Sequence, residues 1–174
     1  MAKKQITGEF RVSFPAVFKP QAFEGQEPKY EITMLFPKDT DLSALEAAAE
    51  EALADKWPDE AKRPKKLTMP FVDGNDKEYD GYADHIAIKA KSKMKPGLVD
   101  RAKKPITDES EFYGGCYARA SVAAYAYDIA GNKGVAFALN NVQKLRDGEP
   151  FGSRSNADSD FGDLPLDDDD DMDL

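Results

Sequence analysis

The sequence contains very little of the residue types on which disulfides, metal sites and most catalytic centres depend. Cys116 is the one cysteine among 174 residues, which excludes an intramolecular disulfide and any zinc site built from cysteines. His85 is the one histidine, so a histidine triad or a histidine-rich metal site would have to be built around it alone. We therefore expect a protein of a reducing compartment that carries no metal and no other cofactor.

Long apolar runs are missing as well. Although 41% of the residues are hydrophobic, no stretch approaches the roughly 20 apolar residues that a membrane-spanning helix needs. The first ten residues include two lysines but no apolar segment, so they do not resemble a secretory signal. We expect a cytoplasmic protein that does not associate with a membrane.

Catalytic and nucleotide-binding motifs are also absent from the sequence. No G-x-x-x-x-G-K-[ST] phosphate loop occurs, and the glycines lie at predicted turns rather than in a loop before a helix. The acidic segment 71–80 lacks the ligand spacing of a calcium-binding EF-hand and is interpreted as a solvated loop. Nothing in the sequence indicates an enzyme, and a binding function is better supported.

Negative charge is abundant, but it is concentrated at one end of the chain. Residues 152–174 contain nine aspartates and one base, Arg154, and so hold −8 of the total net charge of −9. Such a block cannot pack into a core, so we predict one folded domain over residues 1–151 and a disordered acidic tail over 152–174.

Two roles fit this tail: it improves solubility, or it occupies a cationic groove and binds a basic partner. Solubility does not require the apolar residues Met172 and Leu174 at its end, which favours the specific role. The residues predicted to bind a partner or to inhibit the groove are Asp167, Asp168, Asp169, Asp170, Asp171, Asp173 and Leu174.

Hydrophobic periodicity predicts a chain made mainly of strands. Apolar residues alternate with polar ones in five segments, and a short strand is expected near 98–99. The alanine-rich segment 41–57 predicts the one long helix, capped by Thr40 or Asp41 and ended by Pro58. Short turns between neighbouring strands favour a small, mainly antiparallel barrel over a βαβ layer. The five strand segments are 6–14, 29–36, 84–93, 114–128 and 134–145, and an exposed excursion is expected over 71–82.

Positive charge is concentrated in the middle of the chain. From Lys62 to Lys104 there are twelve bases and six acids, a local net charge of +6. Three of these lysines share one strand face at roughly 6.6 to 7 Å spacing, which is close to the phosphate spacing of an extended single strand. A solvated strand face is the alternative explanation for the same pattern. The predicted phosphate contacts are Lys89, Lys91 and Lys93, with Lys65, Lys66, Lys103 and Lys104 at the rims.

The segment 114–128 shows the clearest alternation. One face is small and apolar, as in a tight interior, whereas the other carries aromatic rings and a guanidinium. Aromatic rings beside lysines are what sequence-independent single-strand binding uses, because bases stack on the rings while cations follow the phosphates. The alternative is that the helix or the 58–82 excursion covers these rings. The predicted DNA-binding residues of this face are Tyr117, Arg119, Tyr125 and Tyr127.

Three segments carry a resemblance to a known family: RVSFPAVFKPQAFEGQEPKYEITMLFPKD (11–39), YGGCYARASVAAYAYDIAGNKGVAFALNNVQKLRDGEP (113–150) and FGSRSNADSDF (151–161). The chain resembles the single-stranded DNA-binding replication proteins of tailed phages. This resemblance implies a mainly β fold: an OB-fold-like antiparallel five-stranded barrel with one long helix and loop excursions. It also implies non-catalytic, largely sequence-independent coating of single-stranded DNA in replication and recombination, and an acidic tail that recruits phage or host replication proteins.

Two features depart from the usual pattern of such proteins. Proteins of similar function typically end their tail with a phenylalanine, whereas this chain ends Met172-Asp173-Leu174, so a partner pocket built for phenylalanine is not expected to accept it equally well. The predicted helix follows the second strand, whereas many OB-folds place it between the third and the fourth.

Other classes of protein remain open from the sequence. A DNA mimic or host inhibitor would explain the acidic tail, although mimics spread acid over a folded surface and the body of this chain is nearly neutral. A virion protein that only binds other proteins would not need an aromatic and basic strand face. For the preferred interpretation, the expected location is the cytoplasm of the infected bacterial host. The protein is expected to be a monomer or a homodimer, and binding of duplex DNA stays possible.

Overall fold

The computed structural model describes residues 4–22 and 27–151, which form eight strands and one long helix. The predicted tail residues, from Asp167 to Leu174, lie outside the described residues. The helix α1 spans Ser43–Lys56, and three single 3-10 turns span Glu60–Lys62, Gly74–Asp76 and Glu109–Glu111. The strands are β1 (Lys4–Ile6), β2 (Phe10–Gln21), β3 (Lys29–Pro37), β4 (Phe71–Asp73), β5 (His85–Ser92), β6 (Gly97–Val99), β7 (Tyr117–Ile129) and β8 (Asn132–Arg146).

Five of the strands close into a ring. Their order is β7, β2, β3, β5 and β8, and the long β7–β8 hairpin completes the circle. Four of the five pairings are antiparallel, whereas β5 pairs with β8 in parallel through Ala90 opposite Phe137. The mainly β, OB-fold-like five-stranded barrel with one helix is therefore confirmed, with one parallel seam.

The core fills the inside of this ring. Its largest members, Phe10, Phe36 and Phe137, are at most 1% exposed, and each such burial stabilises the fold by about 1.5–3 kcal/mol. The inward face of β7 is made of small residues, so α1 packs closely against it with Leu45 and Leu53. The small apolar face predicted for this strand is thus an interior face, and its opposite face points outward.

The helix begins and ends close to the predicted positions. The Asp41 carboxylate accepts a hydrogen bond from the Ser43 backbone N–H at 2.9 Å. The Ser43 hydroxyl first, and then this backbone bond, lower the pKa of Asp41. The helix ends at Lys56, just before Trp57 and Pro58. It follows the second strand of the ring, as predicted. Within the described residues, no helix combines the length and the apolar character required to cross a membrane.

Strand β2 differs from its prediction. Alternation predicted a strand over 6–14 with Phe14 on the same side as Phe10 and Val12, followed by a loop. Instead, β2 continues to Gln21, and the Phe14 side chain is 51% exposed. A register shift between Ser13 and Ala16 and a positive φ of 44° at Phe14 interrupt the alternation. They turn the Phe14 side chain outward, away from the core.

Candidate nucleic-acid interface

An open groove of about 1120 Å³ lies on the outer face of the barrel. Strands β3, β5 and β8 and the segment 68–72 line its floor, β2 and the 77–82 loop form one side, and β7 forms the other. Two sets of aromatic side chains and one set of lysines face it. We call Phe14, Tyr79 and Tyr82 the first aromatic wall, Tyr125 and Tyr127 the second aromatic wall, and Lys29, Lys77, Lys89 and Lys91 the groove lysines.

The first aromatic wall is a cluster of three rings from distant parts of the chain. The Tyr79 ring meets Phe14 edge to face at a centroid distance of 5.1 Å and Tyr82 at 5.2 Å. Tyr82 is buried, and its hydroxyl shares a 2.9 Å hydrogen bond with Ser13 Oγ, whereas about half of Phe14 and of Tyr79 remains exposed. One fixed ring therefore supports two accessible ones.

Phe14 reaches this wall through an unusual backbone conformation. A positive φ of 44° is disfavoured for a bulky side chain and costs on the order of 1–3 kcal/mol. The exposed ring does not recover this cost through core burial. Such strain is typically found at functional sites, which makes Phe14 a candidate contact for a flat ligand group.

The second aromatic wall owes its exposure to small neighbours across the hairpin. Tyr125 pairs with Ala136 and Tyr127 with Gly134, and the two tyrosine rings lie 6.5 Å apart. A Cβ at Gly134 would collide with the Thr68 carbonyl, so the glycine is required by the close approach of that loop. Burial, and then the neighbouring Tyr127, raises the pKa of Tyr125, which keeps this ring neutral. Tyr125 therefore offers an uncharged stacking surface.

The floor between the walls combines lysines with one buried carboxylate. Glu31 lies opposite Lys91 in the β3–β5 register, is 4% exposed, and places a carboxylate oxygen 3.6 Å from Lys89 Nζ. Desolvation lowers the pKa of Lys91; Glu31 opposes this shift, and the like charges of Lys89 and Lys29 add to it. The lysines therefore repel one another around a single acid, and an approaching phosphate would relieve that repulsion.

The groove contains four of the eleven predicted DNA-binding residues: Lys89, Lys91, Tyr125 and Tyr127. Three further lysines lie outside its lining. Lys65 and Lys66 are exposed in the loop that leads to Thr68, which does line the groove, and Lys93 pairs with Glu27 at 3.2 Å.

The remaining four lie toward the opposite end of β7 and in the loop after β6. The Tyr117 ring lies 3.8 Å below the Arg146 guanidinium carbon and 5.7 Å from that of Arg11. Arg119 Nε donates a 2.7 Å hydrogen bond to Gln143 Oε1. Lys103 and Lys104 are exposed in the β6 loop. The structure therefore does not gather the predicted aromatic and basic face into a single groove.

Sequence reasoning missed five members of the two walls and the lysine set: Phe14, Lys29, Lys77, Tyr79 and Tyr82. The segment 71–82 was predicted to be an exposed excursion, but its last residues fold back and Tyr82 is buried. Two tyrosines beside the Asp80-Gly81 turn were the available signal, since large aromatic side chains in a loop usually pack against the fold or contact a ligand. Nothing in the local pattern could show that they meet Phe14.

The last described residues are pinned beside the first aromatic wall. Arg11 Nη2 donates to the Glu149 carbonyl at 2.6 Å, and its guanidinium carbon lies 4.1 Å from the centre of the Phe151 ring. Phe151 packs against Tyr82, and a Cβ at Gly81 would collide with the Phe151 ring. The last described residue, Phe151, therefore lies beside the first aromatic wall.

Comparison with known proteins agrees with this geometry. The family model described as "Enterobacter phage Enc34, ssDNA-binding protein" matches residues 3–173, almost the whole chain. The chain belongs to the Enc34 phage ssDNA-binding protein family. This membership confirms the family resemblance drawn from the sequence, and it places the chain among binding proteins rather than enzymes.

Members and structural relatives cover most of the chain. Protein p50 of Acyrthosiphon pisum secondary endosymbiont phage 1 is 36% identical over 154 residues, 81% of this chain and 82% of its own. The bacteriophage Enc34 single-stranded DNA-binding protein in complex with ssDNA is 26% identical, with a TM-score of 0.72 over 86% of this chain and 89% of that one. Bacteriophage T7 gp2.5, a single-stranded DNA-binding protein, is 15% identical with a TM-score of 0.64 over 95% and 98%, a likeness of fold.

Proposed function

We propose that this chain binds single-stranded DNA in the groove between the two aromatic walls. Bases stack on the exposed rings of Phe14, Tyr79 and Tyr125 and on the half-buried ring of Tyr127, while phosphates lie against the groove lysines. The observation that carries the proposal is the joint presence of two stacking walls and a lysine floor in one groove. Membership in a family described as ssDNA-binding and the likeness to a relative in complex with ssDNA support it.

The dimensions of the groove suit a short stretch of extended strand. Lys89 and Lys91 lie two residues apart on β5, so their Cα atoms are about 6.7 Å apart, which is close to the phosphate spacing of an extended single strand. Stacking and phosphate contacts do not depend on base identity, so binding is largely independent of sequence.

The biological role that follows is the protection and organisation of single strands during phage replication and recombination, in the cytoplasm of the infected bacterium. The acidic tail competes with DNA for the groove and, once displaced, recruits phage or host replication proteins. Two described features support the competition: Phe151, the residue before the tail, lies beside the first aromatic wall, and the groove lysines attract the negative charge that the tail carries.

Fluorescence anisotropy with a labelled oligo-dT tests the groove. The variant Lys89→Ala/Lys91→Ala should bind more weakly, and its log–log salt slope should fall by about 1.4, since each neutralised phosphate on a single strand contributes about 0.7. The exposed pair Lys56 and Lys62, changed to alanine, is the matched control and should behave as the unaltered chain. An unchanged slope in the Lys89/Lys91 variant would contradict the proposed groove.

Truncation tests the tail. A chain ending at Phe151 keeps the contacts of the Phe151 ring with Arg11 and Tyr82 and removes only the acidic segment. It should bind oligo-dT more tightly than the full chain, with the largest difference at low salt, where charge competition is least screened. Equal affinity at low salt would show that the tail does not compete for the groove.

A further inference from the structure

A second basic surface lies outside the groove, where β6 and its loop meet β7 and β8. Four exposed cations form it: Arg101, Lys103, Lys104 and Arg119, which we call the basic patch. Among residues 4–22 and 27–151, no carboxylate lies within ion-pair distance of any of these four side chains. The patch therefore holds positive charge that the described fold does not neutralise.

The loop that carries this patch is well ordered by its own hydrogen bonds. The Asp100 carboxylate accepts from the backbone N–H groups of Ala102 at 2.8 Å and Lys104 at 2.9 Å, and the Asp100 N–H donates to the Lys104 carbonyl at 2.8 Å. The Asp100 carboxylate is thus used by the backbone and shapes the loop rather than pairing with its lysines. Lys103, at a φ of 68°, lies at the tip of this turn.

Gln143 joins the loop to β7. Its amide nitrogen donates to the carbonyls of Asp100 at 3.2 Å and Arg101 at 3.3 Å, and its amide oxygen accepts from Arg119 Nε at 2.7 Å. Arg101 in turn donates to the Leu145 carbonyl at 3.3 Å. Both arginines are therefore held in place by neutral partners, which fixes their position and leaves their full charge available.

The outer face of the β7–β8 hairpin connects the groove to this patch. From Tyr125 to Arg119 the strand advances six residues, or about 20 Å at the usual rise, which is roughly three nucleotides of extended strand. The cross-strand pairs along this path are Ala123 with Ala138 and Ser121 with Asn141, and none of the four carries a charge or a bulky ring. Ser121 is buried, so the exposed Asn141 provides the surface at that level, and Lys4 of β1 lies beside Ala123. Single-stranded DNA that leaves the second aromatic wall along the hairpin next reaches the four cations of the basic patch.

We propose that the basic patch is a second phosphate-binding site, occupied by single-stranded DNA that continues beyond the groove. This inference rests on the proposed function and adds to it a path for the strand. The patch lies about 20 Å from the second aromatic wall, so only DNA long enough to reach it from the groove can use it. It has exposed cations but no free aromatic ring, because the nearby Tyr117 is stacked under Arg146. It therefore lengthens the binding site without adding a stacking position.

Oligonucleotide length separates the two sites. The variants Lys103→Ala/Lys104→Ala and Arg119→Ala, made in the full chain, should bind an oligo-dT of about 15 nucleotides several-fold more weakly at low salt. Their salt slope should fall by about 0.7 for each phosphate that the variant no longer neutralises. With an oligo-dT of about five nucleotides, which is near the smallest single-fold site, affinity and slope should equal those of the unaltered chain.

Controls make the outcome decisive. The Lys56→Ala/Lys62→Ala variant removes two positive charges elsewhere, as many as Lys103→Ala/Lys104→Ala, and should leave binding of both lengths unaffected. Circular dichroism confirms that each variant is folded. Equal losses on both lengths, or no loss on the longer one, would overturn the second site and leave the groove intact. Failure of the unaltered chain to bind either length would overturn the proposed function as well.

Discussion

The two ends of β7 carry similar residues and use them differently. At one end the centre of the Tyr117 ring lies 3.8 Å from the guanidinium carbon of Arg146, a residue of the same hairpin, and 5.7 Å from that of Arg11. At the other end Tyr125 and Tyr127 face Ala136 and Gly134 and line an open groove. The residue across the hairpin thus decides whether a tyrosine is a structural stacking partner or an available stacking surface.

The largest effect on DNA affinity is expected at the end of β7 that carries Tyr125 and Tyr127. Changing Tyr125 and Tyr127 to alanine should weaken oligo-dT binding by at least about 2 kcal/mol, roughly 30-fold, because each lost base stack costs about 1–3 kcal/mol. The variant Tyr125→Phe/Tyr127→Phe keeps both rings and should bind nearly as the unaltered chain in the same anisotropy titration. Intact affinity in the folded double alanine variant would contradict the stacking role.

Tyr117→Ala should affect stability instead. Its ring lies close to two guanidinium groups and is half-buried, so its removal should lower the free energy of unfolding by about 1–2 kcal/mol. Chemical denaturation measures this change, and affinity for a short oligo-dT should stay nearly the same. A large loss of affinity with unchanged stability would reverse the assignment of the two ends.

The smallest expected effect concerns the buried acid in the groove. Glu31→Gln removes a negative charge beside Lys89 and should strengthen binding about fivefold, or by about 1 kcal/mol, because phosphates no longer face that repulsion. Glu27→Gln, which alters an exposed acid paired with Lys93, is the control and should change little. Weaker binding by Glu31→Gln would show instead that the acid is needed to position the lysines.

The strands and the helix could be predicted because their periodicity is regular. The outward position of Tyr125 and Tyr127 and of Lys89 and Lys91 followed from alternation alone, since one face of each strand must fill the core. Alternation does not reveal how far along a strand a groove extends, which is why the pattern groups Tyr117 with Tyr125 although the structure places them at different sites.

The first aromatic wall could not be predicted for a different physical reason. It depends on a bulge in β2 that turns one ring outward and on a loop that returns from residues 79–82. Both are tertiary features, so no local pattern specifies them. Sequence patterns therefore predicted the wall built on regular strands and missed the wall built on an irregularity.

The conformation of Phe14 also implies a conflict between folding and function. Glycine at this position would adopt the positive φ without strain, but it would remove a ring of the first aromatic wall. Selection for thermal stability alone would therefore tolerate or favour glycine at position 14, whereas selection for binding of single-stranded DNA would retain phenylalanine. In a laboratory evolution experiment, the fate of this one codon would reveal which of the two pressures dominated.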